Sequence, residues 1–322
     1  MDNTKRIGRQ TVELKNRPKI ISATSVVGPK EGEGPLGSYF DITLKDDKNG
    51  KETYEKAESS ILYTSITESI KKGNLTEDDI DYLLCGDLQN QITSSNFAAR
   101  EIKIPFIGLY GACSTFSLSL GLGAMFIDGG FADYVVTGAS SHFSSAERQF
   151  RFPLEYGSQR AITSQWTVTG AGTVLLGREG NYPEITHITT GKVKDYGVKD
   201  VNNMGAAMAP SAVDTIYTHL QDTGRDPSYY DCIATGDLGK FGRKVTETML
   251  KDLGYDVSKM YVDCGESIYD NGRQDTCSGG SGCGCSASVF TGYFYKQLLE
   301  GKISKILIIS TGALMSPTTS FQ

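Results

Sequence analysis

Apolar residues recur along the chain with two different periods, and these periods predict alternating strands and helices. Lys19–Val27 reads KIISATSVV and predicts a strand, whereas Glu55–Lys72 has apolar residues at helical spacing and predicts a helix that ends at Gly73. Ile80–Cys85 predicts the next strand, and Thr93–Glu101 predicts a second helix. This alternation is typical of an α/β protein.

One cysteine lies between two apolar runs in the stretch 104–142. Ile104–Leu109 predicts a short strand, and the small and apolar residues after Cys113 predict a buried helix that reaches about Asp128. Small neighbours permit a tight turn there, and the first amides of a helix favour a thiolate at Cys113. The alternative is a small buried cysteine that only fills the core. Its glycine-flanked position favours a functional site at least equally.

The chain then repeats its own pattern. Asp81–Leu88 (DYLLCGDL) and Tyr230–Leu238 (YDCIATGDL) each follow an amphipathic helix and a polar turn. Ala132–Ala139 (ADYVVTGA) and Ser304–Ala313 (SKILIISTGA) each follow a helix of small residues. Two copies of one α/β unit predict two sheets that enclose a shared layer of helices.

The repeat divides the chain into an N-terminal half, residues 1–180, and a C-terminal half, residues 181–322. In the first half a further strand, QWTVTGAGTVLLG, follows the ADYVVTGA strand. The second half has only STGALMSPTTSFQ after the equivalent point. We therefore expect the C-terminal half either to lack its last strand or to leave an open sheet edge.

Composition narrows the classes of function. A chain of 322 residues that is 39% hydrophobic can bury a large core. Its 32 basic and 38 acidic residues give a net charge of -6 without a basic stripe, which excludes a nucleic-acid partner. No run reaches the roughly 18 to 20 apolar residues of a membrane helix, and residues 1–18 are too charged for a secretion signal. The expectation is a soluble chain without a transmembrane segment.

Seven cysteines are an odd set and predict free thiols in a reducing compartment. Cys277, Cys283 and Cys285 have neither CxxC spacing nor a nearby histidine, so a tight turn explains them better than zinc does. No cofactor is predicted.

The order of several phrases along the chain resembles the thiolase-like superfamily, and within it a family of spore proteins that bind dipicolinic acid. These phrases are GPKEGEGPLGSYFD, CGDLQNQ, GLYGACST, ERQFRFPLEYGSQR, QWTVTGAG, CGESIYD, SGGSGCGCSAS and STGALMSP. The resemblance implies duplicated α/β halves in a five-layer αβαβα sandwich. It also implies that Cys113 occupies the position of the superfamily's nucleophile.

The superfamily's acyl-transfer enzymes also need a histidine and an asparagine or second histidine from the second half. Thr235–Arg243 contains no histidine, and Ser278–Gly282 contains no asparagine. Losing a general base costs ~10²- to 10⁴-fold in rate, and losing an oxyanion donor costs ~10²- to 10³-fold. The resemblance therefore implies a binding protein with a vestigial nucleophile. The alternative is an acyl-transferring or condensing enzyme of the ketoacyl-synthase or thiolase type that uses Cys113 with His142 as base.

The resemblance implies that the ligand is pyridine-2,6-dicarboxylate, alone or as its calcium chelate. Such a ligand needs cations or amide donors for its carboxylates and flat walls for its ring. The candidate ligand-binding residues are Asp87, Cys113, Ser114, His142, Arg148, Arg151, Arg160, Asp237 and Ser281.

Each of these charged candidates has an alternative role. Each arginine could instead form a surface ion pair, and each aspartate could cap a turn. An aspartate can also ligate calcium, a role we consider for Asp87.

The same resemblance implies partners and a location. It implies a homodimer, integral membrane proteins of the same spore transport system, and a peripheral position at the inner membrane of the forespore or spore. Of the two remaining histidines, we expect His187 to be structural in a strand and His219 to be solvated, because it lies beside the apolar face of its helix.

Overall fold

The computed structural model of the chain describes residues 4–150 and 160–313. Its strands are β1 (Thr11–Glu13), β2 (Lys19–Val27), β3 (Ile42–Thr43), β4 (Tyr82–Gly86), β5 (Phe106–Gly108), β6 (Val135–Ser141), β7 (Trp166–Thr167), β8 (Gly170–Gly177), β9 (His187–Thr189), β10 (Cys232–Thr235), β11 (Tyr261–Asp263), β12 (Gly280–Ser281) and β13 (Ile306–Ile309). Its helices are α1 (Pro29–Gly32), α2 (Tyr54–Lys72), α3 (Thr93–Glu101), α4 (Thr115–Gly129), α5 (Phe143–Phe150), α6 (Met204–Thr223), α7 (Gly239–Asp252), α8 (Cys264–Ile268), α9 (Cys283–Val289) and α10 (Tyr295–Leu299), with a π-helical turn, Phe290–Phe294, between the last two.

The first half forms a mixed sheet with the strand order β3-β2-β8-β6-β4-β5. Strands β4, β5 and β6 are parallel, whereas β8 runs antiparallel to both β2 and β6. Every residue of β6 and β8 is buried, because helices cover both faces of the sheet.

The second half repeats the parallel part of this topology. Its sheet has the order β11-β10-β13, so β10 lies between its two parallel neighbours as β4 does in the first half. The order α2-β4-α3-β5-α4-β6 along the chain returns as α6-β10-α7-β11-α9-β13, with the short α8 inserted. The duplication inferred from the CGDL and TGDL strands is therefore confirmed.

Five layers stack in the order helix, sheet, helix, sheet, helix. Ile61, Ile66 and other apolar residues of α2 and α3 bury one face of the first sheet. The helices α4 and α9 form the middle layer, where Phe116 and Phe290 meet with their ring centroids 5.6 Å apart. Apolar residues of α6 and α7, such as Ile216 and Leu250, cover the outer face of the second sheet. The fold is the expected five-layer αβαβα sandwich.

A short parallel pair, β7 with β12, joins the two halves. Trp166 of β7 stacks on Phe143 with a centroid distance of 3.7 Å and an interplanar angle of 4°. The ammonium of Lys30 lies 4.1 Å from the centre of the same ring. An aromatic cluster of the first half therefore holds the strand that pairs with the second half.

A groove of about 620 Å³ lies between β9 and β13 and above α4. Thr189 lines one wall, Gly312 lines the opposite wall, and Gly121 belongs to its floor. In the first half, β8 fills the comparable space between β2 and β6. The expected incomplete last strand and the boundary at residue 180 stay predictions.

Two parts of the structure differ from what the sequence predicts. The polar segment after β6, where no helix is predicted, forms α5, whose buried residues are Ser145 and Ala146. His219 is buried rather than solvated, because its Nδ1 meets the Thr189 hydroxyl at 2.7 Å and its Nε2 meets the Tyr230 hydroxyl at 2.6 Å. Burial lowers the pKa of His219 to about 4. His187 lies in β9, as expected.

One helix of the middle layer has the length of a membrane span. Among the described residues, the 18-residue stretch Ala112–Gly129 is long and apolar enough to cross a bilayer by length and composition alone. It comprises α4 and the turn before it, and 56% of it is buried in the middle layer of the sandwich. The core helix of a layered fold meets the same criteria.

Candidate functional site

Cys113 lies on a one-turn 3₁₀ helix, Ala112–Ser114, between β5 and α4. Ala112 has a φ of 49°, a left-handed conformation that non-glycine residues seldom adopt. Two hydroxyls hold the turn, because the Ser114 Oγ donates to the Gly111 carbonyl at 2.7 Å and the Thr115 Oγ1 donates to the Ala112 carbonyl at 2.7 Å. The sequence therefore places the cysteine on a strained turn at the start of a buried helix.

The Cys113 side chain is only 4% exposed and points into the protein. Burial raises the pKa of its thiol well above the usual range, and the Asp237 carboxyl and Cys283 raise it further. A hydrogen bond from the Gly282 amide opposes this increase. The thiolate expected from the helix start is therefore corrected: the structure favours the neutral thiol.

Asp237 follows β10 and is the charged group that interacts most closely with this sulfur. Its Oδ2 accepts a hydrogen bond from the Gly282 amide at 2.8 Å, whereas its buried Oδ1 has no hydrogen-bond partner among the described residues. The Cys113 thiol and the Ser281 hydroxyl lie close enough to lower the pKa of the carboxyl. Burial nevertheless raises the pKa of Asp237 to about 7, and the charge of Asp263 contributes. The structure thus brings together three candidates from separate parts of the chain: Cys113, Asp237 and Ser281.

Asp87 and Glu58 form a buried pair of acids in the first half. Asp87 accepts hydrogen bonds from the Gln89 amide at 2.8 Å and from the Ser95 amide and hydroxyl, both at 2.7 Å. Glu58 of α2 accepts from the Gln89 side chain at 2.7 Å and from the Ser145 hydroxyl at 2.8 Å. Burial, and then the charge of Asp87, raises the pKa of Glu58 to about 8.

Cys283 connects the two acidic groups. Its thiol donates to the Ser140 carbonyl at 3.0 Å. Burial raises the pKa of this thiol, and Asp87, Glu58 and Asp237 raise it further in that order. Cys283 therefore lies within the field of both acid groups, and the interior beneath Cys113 is acidic.

The sequence analysis did not single out Glu58 or Cys283 as site residues. The signal for Glu58 was present, because it is one position after Ala57 and three before Ile61 on the buried face of α2. An acid on an apolar helical face needs hydrogen-bond partners, so it indicates a polar interior. The signal for Cys283 was weaker, since a glycine-rich turn explains its neighbours equally well.

The predicted arginines lie in other surroundings. Arg148 forms an ion pair with Glu55 on the surface. Arg160 pairs with Asp275 and lies 5.2 Å from the centre of the Trp166 ring. Arg151 lies outside the described residues. Contact of these cations with a ligand stays a prediction.

His142 is 1% exposed and makes backbone hydrogen bonds through both ring nitrogens. Its Nε2 is 2.7 Å from the Asp47 carbonyl, and its Nδ1 accepts from the Ser144 amide at 3.1 Å. Burial lowers the pKa of this imidazole. These bonds fix the ring, and a ligand contact by His142 stays a prediction.

The remaining candidates have structural partners of their own. Ser114 contributes to the wall of the groove above α4 as well as to the Cys113 turn. Within residues 4–150 and 160–313, no three histidine, cysteine or acidic side chains are grouped so that they could hold a metal ion. A calcium role for Asp87 stays a prediction.

Residues 8–322 match the family model described as Stage V sporulation protein AD. The chain belongs to this family. A curated relative, Stage V sporulation protein AD of Bacillus subtilis (strain 168), is 44% identical over 311 residues, which are 97% of this chain and 92% of the relative. Membership makes this a sporulation protein and sets its context in the forespore.

Solved structures with the same fold are condensing enzymes. The 3-oxoacyl-[acyl-carrier-protein] synthase III of Aquifex aeolicus VF5 aligns with a TM-score of 0.59 and 14% identity over 92% of this chain and 96% of its own. A variant of Xanthomonas campestris OleA bound with cerulenin aligns with a TM-score of 0.64 and 14% identity over 92% and 93%. At this identity the likeness shows the thiolase-like fold alone.

Proposed function

We propose that this sporulation protein is a non-catalytic binder of dipicolinic acid, free or as its calcium chelate, for uptake into the developing spore. The observation that carries the proposal is the Asp237 carboxyl at the Cys113 sulfur. A carboxyl at this position keeps the thiol protonated, because a negative charge nearby disfavours a second one. A thiol held in this state is a poor nucleophile.

The histidines support the same proposal. The chain has three, and each makes its hydrogen bonds elsewhere. His142 bonds to the backbone of Asp47 and Ser144, His187 bonds to Thr186, and His219 bonds to Thr189 and Tyr230. Acyl transfer by a cysteine needs a base close to the sulfur. None of the three imidazoles lies at the Cys113 sulfur, and the titratable oxygen group beside it is the Asp237 carboxyl.

Calorimetry tests the binding function. We expect saturable binding of dipicolinate to the 322-residue chain, with and without calcium, and no binding of pyridine-3,5-dicarboxylate, whose carboxylates point apart. Asp237→Asn should change the affinity for dipicolinate. Asp256→Asn, on the surface of the same half, should leave this affinity unchanged. Absence of saturable dipicolinate binding by the unmodified chain would remove the proposal.

A second candidate function is acyl transfer or condensation through Cys113. The buried cysteine on a strained turn, within the fold of a 3-oxoacyl synthase, is the observation in its favour. Incubation with acyl-coenzyme A followed by intact mass measurement tests it. We expect no adduct, and a thioester on Cys113 that is lost in Cys113→Ser would replace the first proposal with this one.

We also propose a homodimer joined through the edge of the first sheet. Strand β5 ends that sheet, and Phe97 of the adjacent α3 is half exposed. Light scattering at micromolar concentration should give twice the mass of one chain; a monomer would refute this.

Integral membrane proteins of the same spore transport system are the further partners that we propose. Peripheral attachment to the inner spore membrane predicts release from isolated forespore membranes by an alkaline wash.

A further inference from the structure

Asp263 is a buried carboxylate that holds the segment carrying Asp237. It ends β11 and is 1% exposed. Its Oδ2 accepts from the Thr235 hydroxyl at 2.7 Å and the Leu238 amide at 2.9 Å. Its Oδ1 accepts from the Gly239 amide at 2.8 Å and the Glu266 amide at 2.9 Å. One side chain therefore makes four hydrogen bonds, three of them to backbone amides.

These bonds enclose Asp237 from both sides along the chain. Thr235 precedes it by two residues, and Leu238 and Gly239 follow it directly. The Asp237 carbonyl accepts from the Gln165 side chain at 2.8 Å, which fixes the same segment from the first half. The start of α8 also packs closely here, since a Cβ on Gly265 would lie 3.2 Å from the Asp237 Cα.

We propose that Asp263 is a positioning residue, whose carboxylate fixes the backbone on both sides of Asp237 so that the Asp237 carboxyl meets the Cys113 thiol. The effect is indirect, because Asp263 bonds to the segment and not to the sulfur. Nothing in the family match or the related structures assigns this role to it. The inference concerns the same site as the proposed dipicolinate binding, and only its ligand measurement rests on that function.

The charge of Asp263 has a second effect on the site. The titratable groups that face Asp237 are Asp263 from β11, Cys113 from the turn before α4, Cys264 from α8, and Cys283 and Cys285 from α9. Asp263 is the other acid in this set, and its charge disfavours ionisation of Asp237. Neutralising Asp263 should therefore lower the pKa of Asp237 and also loosen its position.

Alkylation of Cys113 by iodoacetamide, followed by peptide mass mapping across pH 6–9, tests the inference without any ligand. The partly exposed Cys277 provides an internal reference for reagent reactivity. In Asp263→Asn we expect Cys113 to react at least threefold faster at pH 8 relative to Cys277, with a pH profile displaced from that of the unmodified chain. Asp237, with a pKa of about 7, is already mostly ionised at pH 8, so a lower pKa adds little charge and the displacement of its carboxyl from the sulfur decides the direction. An unchanged rate and profile in a folded Asp263→Asn variant would overturn the proposal.

Two further variants separate positioning from general stability. Thr235→Val removes the hydroxyl that bonds to Asp263 and to the Tyr261 hydroxyl but keeps the Asp263 charge, so we expect an increase of about twofold in the Cys113 rate. If Asp263→Asn does not fold, an unchanged rate in Thr235→Val overturns the proposal. Asp128→Asn is the control, because Asp128 is another buried acid that accepts a backbone amide, from Asn16 at 2.7 Å, far from Cys113 in the fold. It should lower the melting temperature and leave the Cys113 rate unchanged. An equal rate increase in Asp128→Asn would attribute the effect to destabilisation and overturn the proposal.

Calorimetry on the same variants adds the ligand. Weaker dipicolinate binding in Asp263→Asn, with Asp128→Asn unchanged, supports the inference. If the unmodified chain does not bind dipicolinate, the proposed function fails while the alkylation result still decides the role of Asp263.

Discussion

The acidic residues around Cys113 determine what this site can do. The Asp237 carboxyl raises the pKa of the Cys113 thiol, and the charges of Asp87 and Glu58 raise that of the neighbouring Cys283. A dianionic ligand approaching these groups must be protonated, meet cations from elsewhere or arrive with a metal ion, because like charges repel strongly in a buried site. The protonation state of Asp237 is therefore the property to measure first.

Replacing Asp237 by asparagine should activate the Cys113 thiol. The substitution removes a charge that raises the thiol pKa, so the thiolate fraction at pH 8 should rise, on the order of tenfold for each pKa unit recovered. Iodoacetamide alkylation with peptide mass mapping measures this. Asp226→Asn, an exposed turn aspartate in the same half, is the control. A Cys113 rate equal to that of the unmodified chain would contradict the assigned contact.

At the scale of elements, the middle layer depends on glycines that let α9 approach the first sheet. A Cβ on Gly284 would lie 2.5 Å from the Gly170 carbonyl oxygen of β8, a contact that backbone cannot relieve cheaply. A Cβ on Gly121 of α4 would meet its nearest atom, in the Ile188 side chain, at 3.5 Å. The two central helices therefore differ in how closely they are packed.

This difference predicts opposite outcomes for two Gly→Ala substitutions. Gly284→Ala should lower the free energy of unfolding by on the order of 3 kcal/mol, because it overpacks α9 against β8. Gly121→Ala should raise it by about 0.5–1 kcal/mol, since alanine favours the helix and the space is open. Urea denaturation of the two variants measures both values. Equal destabilisation would show that α4 is as tightly covered as α9.

Elements were predicted well from the sequence where the periodicity was local and complete. Lys19–Val27 and Thr93–Glu101 have the predicted bounds as β2 and α3. The helix α5 was missed, because its polar residues conceal a narrow buried face. The burial of His219 depends on Tyr230, a partner from the next element of the fold. The meeting of Cys113, Asp237 and Ser281 depends on tertiary neighbours that no local pattern indicates, and so do the ion pairs of the arginines.

At the scale of the whole molecule, a buried acid connects the halves. Glu31 of α1 accepts hydrogen bonds from the Thr169 amide at 3.0 Å and from the Tyr269 hydroxyl of the second half. Burial raises the pKa of Glu31 from 4.5 to about 7. A folded-state pKa above the unfolded value means that the folded protein holds this proton more tightly. The contribution to stability is therefore complete below pH 4.5 and is lost as the pH rises through 7.

Glu31→Gln should remove this pH dependence. The neutral amide keeps the shape of the protonated acid, so the variant should match the unmodified chain near pH 4.5 and exceed it at pH 8.5, by up to roughly 3 kcal/mol of unfolding free energy. Urea denaturation at the two pH values measures the difference. Glu33→Gln, on the exposed side of the same segment, should show none. A pH-independent difference for Glu31→Gln would contradict the assignment.

The chain contains a single tryptophan, and Trp166 lies at the junction of β7 and β12. Its emission therefore has one source, an indole stacked on Phe143 and flanked by the Lys30 ammonium. Any separation of the two halves would break the pairing of Trp166 with Gly280 and admit water to the indole, shifting its emission to longer wavelengths. The fluorescence of Trp166 therefore reports on the junction between the two halves without any added label.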